Sequence, residues 1–215
     1  MAALLHSEAG VAVVEGVVVV DGAMLEGGGQ VVRAAIGLGA ALRTPCRVVR
    51  VRAGRPKPGL SAQHVAGLSL LGPLSRGAVR VEGCEKGSTE CEVRIIGEPS
   101  EEDEASAAVV VVSDTKTPGS VSLVLQAVLP LLVLDGDFGS GARTLRLCGG
   151  TTVPFSPPMA FSLRVLLPAL GRLGIAAEVR ELVCSTHSRA RPPAILGRTG
   201  LILSQRGRII ENHKA

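Results

Sequence analysis

The chain has 215 residues, enough for one large core or two modest ones. Hydrophobic residues make up 46% but aromatics only 1%, with no Trp or Tyr, so a core must be built from Val, Leu, Ile and Ala. The formal charge of +4 belongs to the end of the chain: residues 181–215 hold six Lys/Arg and two Asp/Glu, leaving seventeen of each sign in the first 180. Five scattered cysteines with no C-x-x-C pair argue against a disulfide framework or a zinc site. The longest apolar stretch, Val121 to Leu134, contains Gln126 and Pro130 and falls short of the ~20 residues a bilayer span needs. No targeting segment is evident at the N-terminus, and the chain reads as soluble and intracellular.

The β-branched run Val17 to Val20 predicts a strand. A glycine turn at Gly27–Gly29 then leads into a helix over Gln30 to Leu42. Val48 to Arg52 predicts a second strand whose alternation sets Arg50 and Arg52 on one face. A Pro/Gly loop, Arg55 to Gly59, feeds a helix with Ser61 as its N-cap. Strands at Ala78 to Glu82 and Glu90 to Ile96 complete a β-α-β-α-β-β order.

An acidic loop, Glu98 to Ser106, separates this unit from a second. There the order restarts about ninety residues on: strand Val109 to Val112, helix Gly119 to Leu134, strand Arg143 to Cys148, loop Gly149 to Pro158, helix Met159 to Leu173. The fold class expected is α+β, with tandem β-α-β-α-β-β repeats in layered sheets covered by helices on one face. The domain boundaries expected are 1–97, 98–180 and an irregular, non-homologous basic tail at 181–215.

Charge is segregated within the neutral body. Gly27 to Val81 holds nine Lys/Arg and no acid, while Glu82 to Glu104 holds nine acids. Asp21 to Arg33 places three glycines at a strand-to-helix junction, where bare N–H groups attract anions and a phosphate can come close. Glu26 precedes the turn, and Gln30 and Arg33 share a helix face. A glycine turn beside a solvated arginine is the competing reading. No G-K-S/T follows the glycines, so this is not a Walker A loop. Arg52 to His64 gathers Arg52, Arg55, Lys57, Gln63 and His64 around two prolines and a helix start, a set suited to phosphate oxygens. It competes with a merely solvated basic loop. Gln126 inside an apolar helix needs a partner or ligand, and the prolines of the Gly149 to Pro158 loop could wall a base.

Together these motifs resemble those of the RNA 3′-terminal phosphate cyclases. The matching stretches are D-G-x-x-x-E-G-G-G-Q-x-x-R from Asp21 to Arg33 and R-A-G-R-x-x-P-G-L-x-x-Q-H from Arg52 to His64. D-T-K-T-P-G-S-V from Asp114, Gln126, and G-G-T with the later Pro157-Pro158 complete the resemblance, which covers about residues 17 to 180. It implies three such repeats with a small inserted domain, of which this chain would keep two. It also implies an ATP-dependent reaction in which a histidine attacks the α-phosphate, the nucleotidyl group passes to an RNA 3′-phosphate, and the 2′-hydroxyl closes a 2′,3′-cyclic phosphate. Carried over, Glu26 would face the nucleotide and a divalent metal, Mg or Mn. Arg33, Arg52 and Arg55 would clamp phosphates, Gln63 and His64 would complete the pocket, and Gln126 and Pro157 would contact the nucleotide.

The resemblance further implies RNA 3′ ends as partners, no membrane, and a nuclear location. Two departures stand out. Ala160 replaces an acid usual in the family, and the family's nucleophilic histidine has no counterpart at His187 or His213, so an incomplete, inactive form is expected, with self-association through surfaces a third repeat would cover. Three alternatives remain: a non-catalytic cyclase-like protein of ribosomal RNA maturation, an RNA-phosphate-binding module, and an enolpyruvyl transferase, which would lack the Arg52 to His64 motif.

Overall fold

A computed structural model describes residues 10–98, 108–114, 119–134, 142–175, 177–179 and 201–205. The first sheet begins with a hairpin that the sequence did not suggest, β1 (Val11–Val14) paired antiparallel with β2 (Val17–Asp21). Glu15 and Gly16 both take positive φ at its tip, the turn that matches strand twist. Helix α1 (Gly29–Ala41) carries the chain back to β3 (Cys46–Val49), which runs parallel to β2. Helices α2 (Ala62–Leu68) and α3 (Leu71–Leu74) precede β4 (Val79–Glu82) and β5 (Cys91–Ile95). The sheet order is β1-β2-β3-β5-β4.

The second sheet holds β6 (Ala108–Asp114), β7 (Ala142–Cys148), β8 (Ala177–Val179) and β9 (Leu201–Gln205), in the order β6-β7-β9-β8. Helix α4 (Val121–Leu134) joins the parallel pair β6 and β7. Both sheets therefore place a parallel pair beside two antiparallel pairings: β2-β3-β5-β4 in one, β6-β7-β9-β8 in the other. The architecture is α+β.

Three expectations differ from what is observed. β3 stops at Val49, because Arg50 and Arg52 turn into the left-handed region, with φ of 53° and 54°. The Met159 to Leu173 helix is a passage of α5 (Met159–Phe161), a five-residue π-turn (Ser162–Leu166) and α6 (Leu167–Arg172). Pro168 has no N–H to give the carbonyl one turn back, so the helix widens ahead of it. Lastly, Leu201–Gln205 forms a strand paired with both β7 and β8 inside the stretch expected to be irregular. The apolar run Leu201-Ile-Leu203 is too short to announce a strand alone, and its pairing is supplied by β7. All but Glu98 of the acidic loop expected over Glu98 to Ser106, and the rest of the tail, including His187 and His213, lie outside the described residues.

Helix α4 is the pivot of the core. Val121, Val124, Leu125, Val128 and Leu131 are at most 1% exposed, against Val32, Ile36 and Ala40 of α1 and Leu68, Leu71 and Leu74 of α2 and α3. Each such Val, Leu or Ile side chain stabilises the fold by about 1.5–3 kcal/mol. Helices approach this closely because of two glycines: a β-carbon on Gly37 would stand 2.5 Å from the Ala127 carbonyl oxygen, and one on Gly67 2.9 Å from the Ala127 β-carbon. This packing sets Gln126 of α4 beside Arg33 of α1.

Candidate anion-binding site

Helix α1 begins at the glycine turn without a side-chain cap and without an acidic residue in its first turn. Gly28, the N-cap, is extended and offers no side chain to the first backbone N–H groups of the helix, which have no carbonyl one turn back to bond and carry a partial positive charge suited to an anion. Gly27 takes φ of 55°, which glycine adopts without penalty. Gly29 is needed for a different reason: a β-carbon there would lie 2.0 Å from His64 Nε2 and 3.1 Å from Arg33 Nη1. At Gly28 the equivalent position is 3.7 Å from Arg55 Nη2. The glycine turn is thus the meeting point of Arg33, Arg55 and His64. Gln30, expected to share the Arg33 face, is exposed, whereas Arg33 is buried.

Beyond β3 the chain makes a tight loop. Arg52 holds its left-handed backbone while Nη1 donates to the Gly59 carbonyl at 2.8 Å, folding the Pro/Gly segment back on itself. Ser61 caps α2 as the sequence indicates, and His64 answers it: the Ser61 backbone N–H donates to His64 Nδ1 at 3.0 Å. This is the capping-box exchange with histidine in place of the usual Glu or Gln. An N–H can only donate, so Nδ1 carries the lone pair and the neutral ring holds its proton on Nε2, the nitrogen against Gly29. Burial, then the Arg33 and Arg52 charges, push the His64 pKa down to about 4. His64 is therefore a neutral donor at physiological pH.

Glutamines from two elements close the site. Gln126 Oε1 accepts from Arg33 Nη2 at 3.5 Å, and Gln63 Oε1 accepts from the Ser120 backbone N–H at 3.3 Å. Each amide is left with its NH2 end, two further donors. Pro157 is joined through its carbonyl, which accepts from Ser122 Oγ at 2.6 Å. The eight residues carried over from the resemblance, Glu26, Arg33, Arg52, Arg55, Gln63, His64, Gln126 and Pro157, thus belong to one connected region, whereas Lys57, also expected there, is exposed like Gln30.

The acid-free appearance of Gly27 to Val81 is corrected by partners from elsewhere. Arg47 meets Glu92 at 2.6 Å, Arg43 meets Glu98 at 3.9 Å, and Arg50 is bound through two nitrogens to Asp21. The Arg50 hydrogen bond holds the Asp21 carboxyl below the usual carboxylate range. Arg55 faces Glu26 at 3.6 Å, but the Glu26 side chain is 91% exposed, and such a pair is weak. Among the described residues no carboxylate pairs with Arg33 or Arg52. Arg33 is 9% exposed, its Nε is buried without a hydrogen-bond partner, and burial pulls its pKa down. A buried cation with an orphaned donor carries a standing desolvation cost that an anion would relieve. Arg33, Arg52, His64 Nε2, two amide NH2 groups and the helix start all donate, so the pocket suits an acceptor-only ligand such as phosphate.

Among the described residues no group of three His, Cys, Asp or Glu side chains could hold a metal ion. Glu26, the expected metal ligand, has an exposed carboxylate whose one described charged neighbour is Arg55, which leaves it open to an ion that takes its other ligands from phosphate oxygens and water. The sequence does not reveal Ser120 and Ser122, whose contributions depend on hydrogen bonds to other segments. Ser61 does carry a signal, as the N-cap before Gln63-His64.

Residues 24–201 match the family described as RNA 3′-terminal phosphate cyclase. The match passes residue 180, the end of the stretch that the motif resemblance covers. Proteins named RNA 3′-terminal phosphate cyclase from Methylococcus capsulatus, Thermococcus gammatolerans and Pyrococcus furiosus are 41%, 39% and 38% identical to this chain. The aligned parts cover 74%, 74% and 77% of this chain and 42%, 42% and 44% of those proteins. The chain thus spans less than half the length of the curated relatives it matches. These relatives are bacterial and archaeal and give the expected nuclear location no support. No helix among the described residues is long and apolar enough to cross a membrane.

Proposed function

The chain belongs to the RNA 3′-terminal phosphate cyclase family, and from that premise we propose that its donor-lined pocket grips the phosphates of ATP and of an RNA 3′ end. The activity served is the ATP-dependent conversion of an RNA 3′-phosphate to a 2′,3′-cyclic phosphate. The observation that carries the reading is Arg33, a buried arginine with an orphaned Nε and no carboxylate partner among the described residues, set against the glycine turn and His64.

In this reading the helix-start N–H groups, Arg33, Arg52 and Arg55 neutralise phosphate charge that would otherwise repel an incoming nucleophile. Gln63 and His64 Nε2 donate to non-bridging oxygens and fix their orientation. Gln126 and Pro157 stand on the side given to the nucleotide. Glu26 would hold a divalent metal ion, Mg or Mn, whose chemistry is to screen phosphate charge and polarise the bond that breaks. Glu26 would exchange its loose pairing with Arg55 for that role. His64 binds rather than attacks, since its Nδ1 lone pair is committed to the Ser61 N–H and its Nε2 carries the proton.

The like order of the two sheets supports two copies of one β-α-β-α-β-β unit, the second closing with β9 rather than at residue 180. Self-association belongs to the same reading, supported by Phe161, Val165 and Leu173, which stand 44%, 51% and 73% exposed along one helical passage.

Equilibrium titration tests the function. The full chain should bind ATP saturably and prefer an RNA oligonucleotide ending in a 3′-phosphate over the same oligonucleotide ending in a 3′-hydroxyl. Equal affinity for both ends, with binding that fades steeply in salt, would instead mark a nonspecific RNA-phosphate-binding module.

A further inference from the structure

Two buried serines join the Pro157 loop to the phosphate-facing half of the pocket. Ser120 and Ser122 are 1% and 2% exposed. The Pro157 carbonyl can only accept, so Ser122 Oγ donates to it at 2.6 Å. That commits the Ser122 proton, and the 2.7 Å contact between the two hydroxyls therefore runs from Ser120 to Ser122. The Ser120 backbone N–H in turn donates to Gln63 Oε1 at 3.3 Å. Backbone bonds hold the same junction: Val121 N–H donates to the Gly150 carbonyl at 3.0 Å, and Gly150 N–H to the Gly119 carbonyl at 2.7 Å. The start of α4, the loop ending at Pro157 and the first turn of α2 form one hydrogen-bonded unit.

We infer that Ser122 is a positioning residue whose hydroxyl sets the place of the Pro157 loop relative to Gln63, and so the separation between the base side and the phosphate side of the pocket. The inference rests on the nucleotide reading above and assigns Ser122 a part in it. Removing the hydroxyl leaves the Pro157 carbonyl without its donor and the loop without its tie to α4. The groups facing phosphate stand on α1, α2 and the Arg52 to Gly59 loop, and none bonds to Ser122. A base-dependent part of affinity should therefore separate from a phosphate-dependent part.

The test compares ATP with inorganic triphosphate, both titrated calorimetrically into the full chain. For Ser122→Ala the expected result is an ATP affinity lowered about tenfold, the size of one lost buried hydrogen bond, with triphosphate affinity unchanged. In a chain already carrying Pro157→Gly, adding Ser122→Ala should lower ATP affinity no further, because the effect passes through the loop. Unchanged triphosphate binding also shows that the variant is folded. Equal losses for both ligands, no loss for either, or an additive effect in the double variant would overturn the inference while leaving the nucleotide reading intact. A wild-type chain that binds neither ligand would remove that reading and the inference with it.

Discussion

Gly29 and His64 meet so closely that a β-carbon on the glycine would stand 2.0 Å from the imidazole Nε2. The nitrogen at that contact is the one bearing the proton, since Nδ1 accepts from Ser61. Gly29→Ala must push aside the ring, Arg33, or both. The expected result is a loss of about 1–3 kcal/mol in stability by urea denaturation together with at least about a tenfold weaker triphosphate affinity. A variant with wild-type affinity would show that the ring and the turn are not parts of one site.

Arg33 should trade stability for binding. Its charge is desolvated and its Nε unpaired, so Arg33→Met is expected to raise the stability of the ligand-free chain by about 1 kcal/mol, a rise of about 2–4 °C in Tm. The same variant should lose the stabilisation that ATP gives the wild type, about 2.7 kcal/mol at a hundred times its Kd. Thermal melts with and without ATP check both signs at once.

His64 should make the ligand-free chain acid-sensitive well above the carboxylate range. Its pKa is depressed from 6.5 to about 4, so as pH falls below 6.5 the unfolded state takes up a proton that the fold refuses. Stability is full above pH 6.5, declines as pH falls, and levels off below about 4. The loss between pH 7 and 5 is about 2 kcal/mol, and His64→Gln should abolish it. Asp21, held low by Arg50, adds a second loss beneath that window, as pH falls from the unfolded carboxylate value of about 3.9 through its own lower pKa. Bound triphosphate should raise the His64 pKa by offsetting the Arg33 and Arg52 charges, so the ligand narrows the His64 window.

Gly37 tests the seam between α1 and α4 independently of the ligand. Gly37→Ala drives a methyl against the Ala127 carbonyl oxygen, 2.5 Å away, and should cost about 1–3 kcal/mol in urea denaturation. Because α4 carries Gln126, triphosphate affinity should fall as well, whereas an added methyl at the open Gly54 should change neither.

Local pattern made much of this legible. β2, α1, the Ser61 cap, β4 and β5 followed from β-branched runs, period and turn residues, each a property of a few consecutive positions. The two long motifs named the residues that converge, since a glycine turn at a helix start and a proline-stiffened basic loop each point to anions. What stayed hidden is nonlocal. Arg50 leaves the strand because Asp21 holds it in a left-handed turn, and nothing in the sequence around Val48 records that partner. Arg47 and Arg43 lose their free charge to Glu92 and Glu98, which the sequence reading assigned to a separate acidic stretch. The serine pair and the amide orientations of Gln63 and Gln126 exist only once α4 has docked. β9 likewise draws its strand character from pairing with β7.

Chemical-shift mapping of the full chain by NMR during a titration with inorganic triphosphate is the most direct test of a single shared pocket. The Gly28 and Gly29 amides, the Arg33 side-chain Nε–H and the His64 ring nitrogens should all shift along one binding curve with a common Kd, and His64 Nε2 should keep its proton throughout. Signals that stay still, or that follow different constants for Arg33, Gly29 and His64, would contradict a common anion at the glycine turn.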